Sequence, residues 1–244
     1  MARYRQLKPL LREALGAPDW EARLMDFDAQ PPIQLVNPLL SFLLDAGEFK
    51  WRAVLALGST AARLADANME DGRVLMRRLM WSLSEESGSL GWGAPEAMAA
   101  IVAAHPRLGA EFHRILCSYI HDSEREGLYL DHAPLRAGAY WGVGHVATVR
   151  PELVAMAAPD LLLALDEATG AVRGGSESDG VSKSLAASIA GNAAWTLGLL
   201  REQEASPRLR ALREEQTIVE LFRNKRLERL TLGEVCAEAL ERLT

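Results

Sequence analysis

Glu85, Glu86 and Glu96 surround Trp92 in one short stretch, and Arg136 lies one repeat further on. Two carboxylates beside an aromatic ring can divide general acid and base work when one of them is desolvated, and a nearby cation would fix the charge. The plainer alternative is a set of solvated glutamates with a structural Glu–Arg contact. Trp141 and His145 form a second constellation. Four residues apart, they share a helix face with Gly138, which suits a groove wall with a polar contact or a core tryptophan beside a satisfied histidine. Asn192 and Trp195 give a third. Trp195 follows Trp141 by 54 residues, and the intervening glycine-rich segment accounts for the long offset.

Other motifs carry less. Gly91-Trp-Gly93 and Gly142-Val-Gly144 are GxG sequences that follow no strand and extend into no dinucleotide or P-loop pattern. His121 and His132 bracket Asp122, Glu124, Glu126 and Asp131, but the spacing matches no familiar zinc or calcium motif, so a solvated linker is expected and no metal. Ser87 lacks a nucleophile elbow. Cys117 and Cys236 sit far apart inside apolar helical patterns and read as buried free thiols. No cofactor and no catalytic set is expected.

Charge narrows the partners. The chain has 244 residues, 49% hydrophobic and 25% charged, with a formal net charge of -6. Phosphate-backbone recognition needs a cationic footprint. The basic N-terminal face, Arg3, Arg5, Lys8 and Arg12, is modest, and Glu220 and Glu228 dilute the run Arg223–Arg229, so nucleic acid is an unlikely partner. The charged start is not a signal peptide and no apolar run is long enough to span a bilayer, which predicts a cytoplasmic protein with no membrane contact.

Scarce β-branched residues and abundant Ala and Leu predict helices to position these groups. The stripe Leu7, Leu10, Leu11 and Leu15 sets the first, ended by Gly16 and Pro18. A short helix follows over Trp20–Phe27. Asn37-Pro38 reads as a cap and first-turn proline opening Leu39–Leu44. Helices are expected over Glu48–Leu64, from Asn68 to about Ser84, from Ala94, from Pro106, and over Pro134–Val149. Gly170 to Ser182 reads as a mobile loop, Lys183–Leu200 and Pro207–Glu214 as helices, and Thr217–Thr244 as two more short helices.

These helices repeat. Residues 51–58 align with 93–100 at an offset of 42, and Ala94–Pro106 with Ala139–Pro151 at 45. That period belongs to HEAT or armadillo helix pairs, whose members bury one face in the pair and another against the next pair. The fold class expected is all-α: a right-handed HEAT-like α-α superhelix, an irregular short solenoid, with residues 1–47 as an N-terminal helical cap and 48–244 as the repeats. The paired glycines Gly138 and Gly142 would admit a close neighbouring backbone.

Over residues 48–244 the repeats resemble the HEAT-like repeats named after phycobilisome lyases. The segments Glu86-Ser-Gly-Ser-Leu-Gly-Trp-Gly-Ala-Pro-Glu96 and Arg136-Ala-Gly-Ala-Tyr-Trp-Gly-Val-Gly-His145 resemble a HEAT-repeat family of sulfate-reducing bacteria to which no activity is attached. Relatives of the repeats include bilin lyases, which attach chromophores to protein cysteines, and scaffolds that hold partners along a curved surface. The expectation is a noncatalytic protein-binding or scaffold module with a concave helical surface. The alternative is a small-molecule binder or enzyme, lyase-like, centred on Glu86–Glu96 and Trp141/His145.

Overall fold

The computed structural model describes residues 2–84, 91–122, 128–174 and 183–244. The protein is mostly helical, with one two-stranded antiparallel sheet near the C-terminus. Its backbone packing divides into two compact units, residues 1–111 and 112–244. No helix among the described residues is long and apolar enough to cross a membrane.

The first unit holds α1 (Ala2–Gly16), α2 (Trp20–Met25), α3 (Pro32–Phe42), α4 (Gly47–Ala67), α5 (Met69–Ser82), α6 (Ala94–Ala104) and the start of α7 (Pro106–Ser118). Leu7, Leu11, Ala14 and Leu15 supply the buried stripe of α1, whereas Leu10 faces out. The central member is α4, which packs against α3, α5 and α6. Its small residues allow this: a Cβ added at Gly58 would sit 2.8 Å from the carbonyl oxygen of Ala100 on α6. Asn68 caps α5 by accepting from the Glu70 N–H at 3.2 Å, and Gly72 of α5 lies against Ala65 and Leu108.

Asn37-Pro38 does not open a helix. Pro32 occupies the first turn, and α3 runs through Pro38 to Phe42. An interior proline costs about 3 kcal/mol. Burial of Leu35, Val36, Leu39 and Phe42 on either side of it offsets that loss.

The second unit comprises the rest of α7, α8 (Ala133–Ala147), α9 (Pro151–Val154), α10 (Ala158–Gly174), α11 (Lys183–Leu200), α12 (Ser206–Ala211), β1 (Ile218–Arg223), β2 (Arg226–Thr231) and α13 (Leu232–Leu243). Here α11 is central, packed by α8, α10, β1 and α13. Small residues again mark the close approaches. A Cβ at Gly144 of α8 would lie 2.6 Å from the Trp195 ring and the Thr196 Oγ1 of α11, and one at Gly198 of α11 would lie 2.9 Å from Ala239 of α13.

Two expectations change in this unit. α10 continues to Gly174, so the segment expected to be a loop from Gly170 begins as helix; residues 175–182 lie outside the described residues. The stripe Leu161, Leu165 and Ala168 is buried, and that packing carries the helix past one exposed glycine. The tail is also not two helices. Residues 218–231 form a hairpin, and a single helix, α13, follows it behind a Thr231/Glu234 capping box.

Candidate functional site

Trp92 stands at the corner of a turn. Ala94 N–H donates to the Gly91 carbonyl at 2.9 Å, and Gly93 caps α6 with φ +75°, a conformation that needs glycine. Both glycines are wedged. A Cβ at Gly91 would meet the Ser82 carbonyl oxygen at 2.6 Å, and one at Gly93 would meet Leu43 Cβ at 2.8 Å. The GxG sequence is therefore a rigid entry into α6, and it holds Trp92 with 42% of its surface exposed. Trp81 and Leu44, each one residue from those wedge points, are 58% and 70% exposed.

Glu96 follows in the first turn of α6 and is 5% exposed. Its Oε1 accepts from Lys50 Nζ of α4 at 2.6 Å, while Oε2 has no hydrogen-bond partner among the described residues. The Lys50 ammonium also lies 5.0 Å from the Trp51 ring centroid. The cation beside Glu96 is thus a lysine two helices earlier, at i−46, a pairing that no local motif announces. Glu85 and Glu86 lie outside the described residues.

Arg136, in the second unit, has other partners. Its Nη1 donates to the carbonyls of Leu130 (2.6 Å) and Asp131 (3.0 Å), and its guanidinium lies 4.7 Å from the Tyr129 ring centroid. The side chain latches the segment leading into α8. Tyr140, buried on that helix, has its phenol pushed up by burial, with the Glu167 carboxylate adding to the shift.

Trp141 and His145 do share a face, and their rings stack at 4.8 Å. Trp141 is buried, and its Nε1 donates to the Phe222 carbonyl of β1 at 2.7 Å. His145 is half-buried, and the surrounding protein pushes its imidazole down to about 4, so the ring is neutral at physiological pH. Trp195 is buried against Gly144. Asn192, buried beside it, donates from Nδ2 to the Ser188 carbonyl at 2.9 Å, while its Oδ1 has no partner among the described residues. The structure thus brings Trp141 and His145 into contact and sets Trp195 against Gly144 of their helix.

Burial pushes the Cys117 and Cys236 thiols up to about 12, which keeps both protonated. Among the described residues no group of three or more His, Cys, Asp or Glu side chains is placed to hold a metal ion. His121 Nδ1 lies 2.9 Å from Asp160 Oδ1, joining the residues after α7 to α10, a contact that the spacing of the two residues does not announce. The hairpin is likewise unexpected, and its signal is the β-branched and aromatic content of Ile218-Val-Glu-Leu-Phe222.

By fold the protein is a mostly helical chain of two compact units. Comparison with protein-family models, with curated proteins and with solved structures finds none that matches it.

Proposed function

We propose that the chain is a noncatalytic protein-binding or scaffold module made of HEAT-like helix pairs. Close approaches at Gly58–Ala100 and Gly144–Trp195 support the repeat reading, because each brings together two non-consecutive helices of one unit across a shared small-residue contact. The two buried free thiols fit a reducing, cytoplasmic setting.

One observation carries the binding reading: Trp92 is held outward on a turn whose two glycines are wedged against α3 and α5 ends. A tryptophan kept exposed at the expense of two fixed backbone positions is the kind of anchor that interfaces use. The polar atoms elsewhere that could do chemistry are mostly spent on internal hydrogen bonds. The test is affinity capture from native extract on the wild-type protein and on Trp92→Ala. Proteins retained by the first and lost from the second support the reading. An identical profile from both rejects it.

The Glu96 Oε2, without a hydrogen-bond partner among the described residues, favours a second reading, a small molecule that donates an N–H or O–H to a buried carboxylate. Thermal-shift screening of small amines and amides against wild type and Glu96→Gln tests it. A stabilising compound whose effect survives the substitution would exclude this site.

A further inference from the structure

We infer that the outer edge of β1 is a docking site for an extended peptide segment of a partner protein. The reasoning starts with the turn. Asn224 and Lys225 both have positive φ, +51° and +61°, and connect Arg223 to Arg226 as a two-residue hairpin loop. In such a hairpin the flanking pair Arg223↔Arg226 exchanges backbone hydrogen bonds, and every second pair beyond it does too. Thr217, two residues before Val219 in this alternation, confirms the phase, because its carbonyl accepts from Leu232 N–H at 2.9 Å. The backbone groups of Ile218, Glu220 and Phe222 therefore face away from β2.

These outward groups are treated differently along the strand. The Phe222 carbonyl is closed by the Trp141 indole at 2.7 Å. The outward N–H and C=O of Ile218 and Glu220 make no hydrogen bond among the described residues. Beside them lies a cleft of about 420 Å³ between the strand and α11, lined by Ser184, Leu185, Ser188, Ile218, Glu220 and Arg229. Below it, Val219 seats its side chain on Gly191 of α11, which fixes the strand against the helix.

A donor and an acceptor repeated two residues apart, about 6.7 Å along a strand, match another extended backbone and few other ligands. With the Phe222 carbonyl closed by Trp141, the open edge is short, far less than the surface a stable dimer buries. Its occupant is therefore a short peptide strand and not a second copy. The cleft supplies side-chain contacts as well: Ile218 is exposed, Ser184 and Ser188 line it, and the Glu220–Arg229 pair at 3.8 Å is loose enough for either charge to turn to a partner.

This inference rests on the protein-binding reading above but names a different surface from Trp92. Its test is selection from a display library of random short peptides on the intact protein. The tightest selected peptide is then measured against wild type and Glu220→Pro, and again after N-methylation of its alternate amides. Proline removes an outward donor together with the Glu220 carboxylate and is tolerated on an edge strand, and Glu220→Ala, which loses the carboxylate and keeps the donor, is the control. The expected result is a loss of affinity of about tenfold or more in both arms, with slowed amide exchange at Ile218 and Glu220 on binding. Selected peptides insensitive to both changes would overturn this site while leaving binding at Trp92 intact. No selected peptide at all, or a concentration-dependent dimer abolished by Glu220→Pro in place of peptide binding, would also overturn it. Should Glu220→Pro fail to fold, the N-methylated peptides decide alone.

Discussion

The indole Nε1 of Trp141 donates to the Phe222 carbonyl at 2.7 Å, tying α8 to the edge of the hairpin. Trp141→Phe removes that donor and part of a buried ring, leaving a buried acceptor unpaired beside a small cavity. The expected loss is about 1–3 kcal/mol, read by urea denaturation, with faster amide exchange in β1 than elsewhere in the unit. An unchanged midpoint would show that the bond contributes nothing to stability.

His145, stacked on the same indole, gives a pH signature. Its folded value of about 4 lies below the ordinary 6.5, so the unfolded chain takes up a proton first as pH falls. The contribution is full above 6.5, declines between 6.5 and 4 and levels off below that. The depression of two to three units corresponds to about 3 kcal/mol at most. Denaturation at neutral pH and near pH 4 should show a smaller acid loss for His145→Phe than for wild type, and equal losses would contradict the assignment.

The close-packed glycines can be separated from one that touches nothing. Gly144→Ala would drive a methyl to 2.6 Å from Trp195 and should destabilise by about 1–3 kcal/mol. Gly170, exposed in α10 with nothing within 4 Å, should behave oppositely and gain about 0.5–1 kcal/mol as alanine. Thermal melts of the two variants test the contrast, and a common sign would reject the packing account.

Lys50 and Glu96 make an unequal pair. Lys50→Met strands a buried carboxylate and should cost about 3 kcal/mol or more. Glu96→Gln leaves only a half-exposed lysine and an amide, so its cost should be smaller. Chemical denaturation at neutral pH ranks them, and the reverse order would mean that the carboxylate is better solvated than its 5% exposure implies.

Much of the fold was legible because it is local. Helices such as α4 and α5 declare themselves through apolar spacing and the Asn68 cap, and the alignment of Gly58 with Ala100 names two residues that touch. The hairpin was not legible in the same way. Its strands carry Leu, Glu and Arg, which also suit helices, and Asn224-Lys225 lacks the glycine that marks a tight turn. Arg223 read as part of a basic run, yet it binds Glu238 of α13 and Glu228 of β2, partners set by the turn. The candidate site was legible as residue types and not as roles. Trp141 and His145 were rightly placed on one face, but that the face meets Phe222, at i+81, depends on a strand the helical pattern concealed. The Lys50–Glu96 pair joins two helices and has no signature in either.

Oxidative footprinting of the protein, alone and with the fraction it retains from native extract, tests the binding account most directly. Trp92 should be readily oxidised in the free protein and protected about fivefold or more when partners are bound, as expected of a buried interface anchor. Trp141 and Trp195, already buried, should react slowly in both states. Trp92 oxidised equally in both samples would contradict the claim that this exposed tryptophan is where the protein meets its partner.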